Sequence, residues 1–101
     1  MKVVFTDRAR QQFERRLAYS FDRFGRRVAE RTFAHVDRFI HNSIARHPDT
    51  SGNRHPVRDF YEAWVPRTPF FIIYRIDHVA EVVTVLAIYH HAQDRTTIDP
   101  D

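Results

Sequence analysis

Two apolar runs near the end of this chain constrain its fold more than any other feature. Residues 70–77 read FFIIYRID and residues 82–89 read VVTVLAIY, with a short polar break at 78–81 between them. Runs this rich in β-branched and aromatic residues favour extended backbone, and so short a connection joins antiparallel neighbours; the pattern predicts a β-hairpin. Both runs are nearly continuous in apolar residues instead of alternating, so these strands belong in the middle of a sheet with at least one face well covered. The N-terminal half must supply the cover.

That half reads as two amphipathic helices. Lys2–Phe5 is a brief β-like run, suited to a sheet edge, and Thr6 follows as an N-cap with Asp7 in the first turn to complement the helix dipole. Ala9, Phe13, Leu17 and Phe21 then recur every four residues, with Phe24 three later, which marks one apolar stripe. Gly25 predicts the end of this helix through a left-handed cap. Ala29, Phe33, Val36, Ile40 and Ile44 give a second stripe over 26–46, and Pro48 stops it. The two helices form an αα-hairpin whose stripes face the sheet. Residues 47–56, HPDTSGNRHP, read as a loop. A third strand is expected over 57–65, with Arg58, Phe60, Glu62 and Trp64 on one side and Val57, Asp59, Tyr61, Ala63 and Val65 on the other. Pro66 and Pro69 bracket a turn, and the polar tail 92–101 should fray. The whole, 1–101, is one α+β domain in the order β-α-α-β-β-β, a helical hairpin packed on one face of a small, mostly antiparallel sheet. The far face is left open.

Composition narrows the chemistry. The chain has no cysteine, which excludes a disulfide framework, thiol catalysis and zinc-thiolate sites and suits a reducing compartment. The opening apolar run is three residues long, too short for a secretory leader, and no apolar stretch approaches the roughly 20 residues that span a bilayer. A cytoplasmic protein with no membrane association is expected. The net charge is +3, and fifteen of the sixteen basic residues are Arg. Either an anionic partner, nucleic acid or acidic protein, selects these forks, or they reflect ordinary solubility and genome composition.

His35, His41 and His47 stand six apart, turned by roughly 240° from one another on a helix, and adjacent His90 and His91 point to opposite faces of a strand. With no HExxH or HxH, neither metal nor cofactor is expected. Arg15, Arg16, Arg23, Arg26, Arg27 and Arg31 gather around the helix junction, as a solvated face with partners such as Glu30 or as an anion-binding patch. The last three strands carry Arg58, Glu62, Tyr74, Arg75, Tyr89 and the pair His90/His91. On an open face these could bind phosphate, stack a base and move a proton, histidine being the one type here that titrates near neutrality. The alternative is that they form the sheet's wet side, with Tyr74 in the core.

The order of these segments resembles the RelE/ParE superfamily of type II toxin–antitoxin toxins. The resemblance rests on VVFTDRARQQF, the helical hairpin broken at Gly25, PDTSGN, Arg58 opening the next strand, FFIIYRID and VVTVLAIYHHAQD, and covers about residues 3–95. It implies a small cytoplasmic toxin held in a heterocomplex by a cognate antitoxin, whose segment fills the groove by the helical hairpin or adds to the sheet. RelE-like members cut messenger RNA in the ribosome; ParE-like members block DNA gyrase and lack the catalytic set. The single Lys, at position 2, and the IYHHAQD ending favour a ParE-like gyrase inhibitor with no catalytic residues. Under the RelE-like alternative Arg58 and Arg75 would hold phosphate, His90 or Glu62 would move the proton, and Tyr89 would complete the set. A third expectation is an interaction module without toxicity.

Overall fold

The computed structural model describes residues 1–90. Strand β1 (Lys2–Phe5) leads into helix α1 (Asp7–Phe24) and helix α2 (Arg26–Phe39), which continues as a π-helical turn, Ile40–Ile44. A short helix α3 (Pro48–Ser51) and strands β2 (Asn53–Arg54), β3 (Tyr61–Trp64), β4 (Phe70–Asp77) and β5 (Val82–His90) follow. The sheet runs β1-β5-β4-β3-β2, antiparallel except where β1 lies parallel to β5. The expected helical hairpin on one face of a mostly antiparallel sheet is what forms, and β1 is an edge strand as predicted.

Thr6 begins α1 as the sequence suggests. Its Oγ1 accepts the Ala9 N–H at 3.1 Å and donates to the Leu86 carbonyl at 3.0 Å, so one side chain caps the helix and pins it to β5. Gly25 separates the helices at φ 85°, ψ 168°, a positive φ as expected but with extended ψ. Its N–H closes α1 on the Phe21 carbonyl and its carbonyl opens α2 by accepting from Ala29, both at 3.1 Å. At the far end of α2 the Ala45 N–H donates to the Ile40 carbonyl, an i to i+5 bond. This π turn re-aims the helix so that Ile40 and Ile44 both stay buried.

The main core lies between helices and sheet: Phe33, Val36, Ile40 and Ile44 meet Ala63, Val65, Phe70, Ile72, Tyr74, Val83, Val85 and Ile88, with Phe13 and Leu17 packed against them. Phe13 meets Phe33 edge-on at 4.9 Å, and Phe33 touches Phe70 at 5.3 Å. Three expectations need correction. The α1 stripe is buried only through Leu17; Phe21 and Phe24 overhang the sheet and are exposed. The 47–56 segment is no plain loop, because α3 and β2 lie within it, and the third strand starts at Tyr61, not 57. The His55 imidazole Nδ1 accepts the Val57 and Arg58 N–H groups at 3.1 and 2.9 Å, which bends 55–58 out of the ladder.

The third correction concerns the far face, which is not bare. Phe60, Phe71, Ile73, Leu86, Ala87 and Tyr89 form a second buried cluster there. Trp64 leans on Phe71, His55 on Phe60 and Arg8 on Tyr89. The near-continuous apolar runs of β4 and β5 are explained by burial on both faces.

A β-bulge decides which face each late residue of β5 occupies. Ile73 pairs with Ala87 but Tyr74 with Val85, leaving Leu86 as the extra residue. Val83 and Val85 face the helices before the bulge, and Ile88 after it. Tyr89 therefore turns to the far face and His90 to the helix side.

Candidate functional site

Three surfaces gather functional side chains. On the far face, β3 presents Glu62 and Trp64 and β4 presents Arg75, alternating with the inward Tyr61, Ala63 and Tyr74. The Arg75 Nε donates to the Asp59 carbonyl at 3.1 Å, and the Asp59 carboxylate stands 3.7 Å from both Arg54 and Arg75. These are exposed pairs, worth a few tenths of a kcal/mol each at about ε of bulk water, so they orient the forks more than they stabilise the fold. Arg58 follows the bend that His55 holds. Tyr89 is only 4% exposed; its ring stacks on Phe71, and its hydroxyl accepts from the Arg8 guanidinium at 2.5 Å.

The nominated set is therefore divided. Glu62, Arg75 and Tyr89 belong to the far side, Arg58 lies in the bend before β3, and His90 meets Phe70 edge-on at 5.5 Å on the helix side. His55, which packs on Phe60 of the far-face cluster, has its Nδ1 lone pair engaged by two backbone N–H groups. His91 lies outside the described residues, as does the 92–101 tail. Tyr74 belongs to the core, as the alternative reading had it. Its hydroxyl donates to the Pro48 carbonyl at 2.6 Å, its ring stacks on Tyr61, and burial raises its pKa, with Tyr61 and Asp49 adding to the rise.

The second surface is an apolar groove at the Gly25 end of the helical hairpin. Tyr19 and Phe24 of α1, Val28 of α2, Pro69, Phe70 and His90 line it, with Arg16 at its rim. Tyr19, Phe24 and Val28 are 51%, 59% and 45% exposed, so a large apolar patch faces solvent beside basic residues. Of the junction arginines, Arg26 is engaged by Glu30 at 2.8 Å, in agreement with the expected i,i+4 pair. The third surface is a basic cleft between α2 and the β3–β4 turn, lined by Arg31, His35, Arg38 and Arg67.

With this geometry in hand, the chain can be compared with known proteins. The family model for the ParE toxin of type II toxin–antitoxin system, parDE, matches residues 3–95. The chain belongs to the ParE toxin family. It is thus a toxin of a type II toxin–antitoxin system within the RelE/ParE superfamily, as the sequence resemblance implied. Among solved structures, the chromosomal ParDE system from P. aeruginosa is similar with a TM-score of 0.75 and 14% identity, over 89% of this chain and 95% of that one. The RelBE2 toxin–antitoxin complex from Mycobacterium tuberculosis gives 0.65 and 24%, over 88% and 95%. The intact E. coli RelBE complex gives 0.62 and 15%, over 92% and 98%. Curated protein sequences gave no match. At these identities the solved structures establish the shared fold, and the family model establishes the family.

For this ParE-family toxin, sequence reasoning missed Arg8 and the cleft, and reached the hairpin groove only through the family resemblance. Arg8 lies 81 residues from Tyr89, and nothing local to the start of α1 signals that reach. The groove also had a local signal: Phe24, which lines it, continues the stripe of α1 and is exposed.

Proposed function

We propose that this toxin inhibits DNA gyrase by binding it, without chemistry of its own, in the cytoplasm, and that a cognate antitoxin neutralises it. The observation that supports the gyrase reading is the placement of His90. A ribonuclease of the His/Tyr kind needs its proton-transfer group beside its phosphate-binding arginines. Here the bulge at Leu86 puts that imidazole across the sheet from Arg75, and the Tyr89 hydroxyl accepts from the Arg8 guanidinium.

The antitoxin's segment fits the hairpin groove. Tyr19, Phe24 and Val28 offer apolar surface, and Arg16 with its neighbours Arg15 and Arg23 favours an acidic amphipathic segment. Such a complex would be a hetero-oligomer, in keeping with the ParDE and RelBE neighbours.

The gyrase reading is tested by a DNA supercoiling assay with purified toxin. Inhibition that added antitoxin relieves is expected; full gyrase activity at large molar excess of toxin would refute it. One observation favours the RelE-like reading as runner-up: Glu62 and Arg75 do share the far face. Messenger RNA cleavage by the toxin in a translation extract, lost on Glu62→Gln or Arg75→Gln in a folded variant, would decide for the ribonuclease.

A further inference from the structure

We infer that the cleft between α2 and the β3–β4 turn is a binding site for the backbone phosphates of a nucleic acid. Arg31, His35 and Arg38 fall at i, i+4 and i+7 of α2, on one stripe that rises roughly 10 Å along the helix. The turn contributes Arg67 opposite them. Two adjoining cavities share His35, Arg38 and Arg67, the first reaching to Arg31, Thr32 and Thr68 and the second to Asn42 and Ser43. No Asp or Glu is among the lining residues. Among the described residues, none of the Arg31, Arg38 and Arg67 guanidinium groups forms a hydrogen bond or ion pair.

One feature of this cleft runs against stability: Arg67 stands at φ 63°, the left-handed region that glycine or asparagine occupies at far lower cost. Strain of this kind persists where the surroundings impose it and concentrates at functional sites. Here the surroundings are identifiable. The His35 Nε2–H donates to the Pro66 carbonyl at 2.9 Å and the Thr68 hydroxyl donates to the Val65 carbonyl at 2.8 Å, so the turn is clamped on both sides of Arg67 and held against α2. An elongated row of three unpaired guanidinium forks, with no carboxylate to satisfy them, matches a ligand that repeats its negative charge every few ångströms. Nucleic-acid backbone does so, and Arg forks pair with phosphate oxygens bidentately.

The site is independent of the gyrase reading, and its test uses the toxin alone. Binding of a labelled 20-base-pair DNA duplex, and of a single-stranded RNA of equal length, is followed by fluorescence anisotropy across a salt series. Each neutralised phosphate contributes about 0.9 to the slope of log K against log salt for duplex and about 0.7 for single strand. The variant Arg31→Gln/Arg38→Gln/Arg67→Gly should lower the duplex slope by about 2 to 3, and Arg67→Gly alone, which relieves the backbone, by about 1. A charge-matched variant, Arg10→Gln/Arg23→Gln/Arg27→Gln, should lower it by less than about 1. Which of the two probes binds more tightly assigns the cleft to DNA or to RNA. Equal losses in the two triple variants would reduce the effect to net charge and overturn the proposal. So would an unchanged slope in the folded Arg67→Gly variant, or binding of polyglutamate in place of either nucleic acid.

Discussion

Replacing Gly52 by alanine tests how tightly the 47–54 segment is pressed onto the sheet. Gly52 has φ −139° and ψ −179°, extended backbone that any residue adopts. From conformational entropy alone Gly52→Ala should therefore stabilise the fold by about 0.4–1 kcal/mol. The space around it reverses the sign. A Cβ at Gly52 would stand 2.6 Å from the Glu62 carbonyl oxygen and 2.8 Å from the Tyr74 hydroxyl. The carbonyl cannot retreat easily, because Glu62 sits in β3 between Asn53 of β2 and Ile73 of β4. The hydroxyl is held on Pro48 at 2.6 Å. Forcing a methyl into such a site costs about 1–3 kcal/mol, which leaves a net loss of about 1–2 kcal/mol. For a domain of this size that lowers the melting temperature by roughly 5–10 °C.

Tyr74→Phe separates the two contacts. Alone it removes the hydrogen bond to Pro48 and costs about 1–1.5 kcal/mol. In the Gly52→Ala background it also removes one of the two atoms that the new methyl meets, so the double variant should be more stable than additivity predicts by about 0.5–1 kcal/mol. Urea unfolding followed through Trp64, the single tryptophan, measures all four corners of the cycle. A Gly52→Ala variant as stable as the parent would refute the close approach of this segment to β3. Strict additivity would assign the whole penalty to the Glu62 carbonyl.

Two further outcomes follow from the same structure. The Tyr74 phenol ionises near pH 10 in the unfolded chain, and burial raises it in the folded one; its stabilising share is complete below about pH 10 and is lost as pH rises toward the folded value. Urea midpoints measured on either side of pH 10 should fall more steeply in the parent than in Tyr74→Phe, and parallel slopes would remove the argument. In the hairpin groove, Phe24→Asp and Val28→Asp alter exposed side chains and should leave the urea midpoint nearly unchanged while weakening antitoxin binding at least about tenfold, roughly 1.4 kcal/mol. Undiminished affinity by isothermal titration would take the groove out of the interface.

The fold was legible because its strongest signals are local. Thr6 and Gly25 bound α1 by their own chemistry, and the residues 70–89 read as a hairpin from composition alone. What sequence could not give was set by partners distant along the chain. The bend at 55–58 depends on an imidazole accepting two backbone N–H groups, and the burial of Tyr89 depends on Arg8 from the opposite end. The far face was misjudged for a different reason: an apolar run satisfies burial on one face or on two, and only the packing of Phe60, Phe71 and Leu86 distinguishes them.

The bulge carries the largest consequence for function. Strand alternation assigns every side chain of β5 to a face once one residue is placed, and Val85 is placed by the helices. Counting onward without interruption would put Ala87 and Tyr89 against the helices and send His90 to the far side, beside Arg75 and Glu62, completing the ribonuclease set. One extra residue at Leu86 inverts that count. The same shift lets Tyr89 stack on Phe71 and brings His90 to the rim of the hairpin groove, next to Phe24 and Val28. A single unpaired residue thus moves the imidazole from the face that carries Arg75 and Glu62 to the apolar groove of the helical hairpin, which is the physical ground for proposing that this toxin acts as a binder of its target.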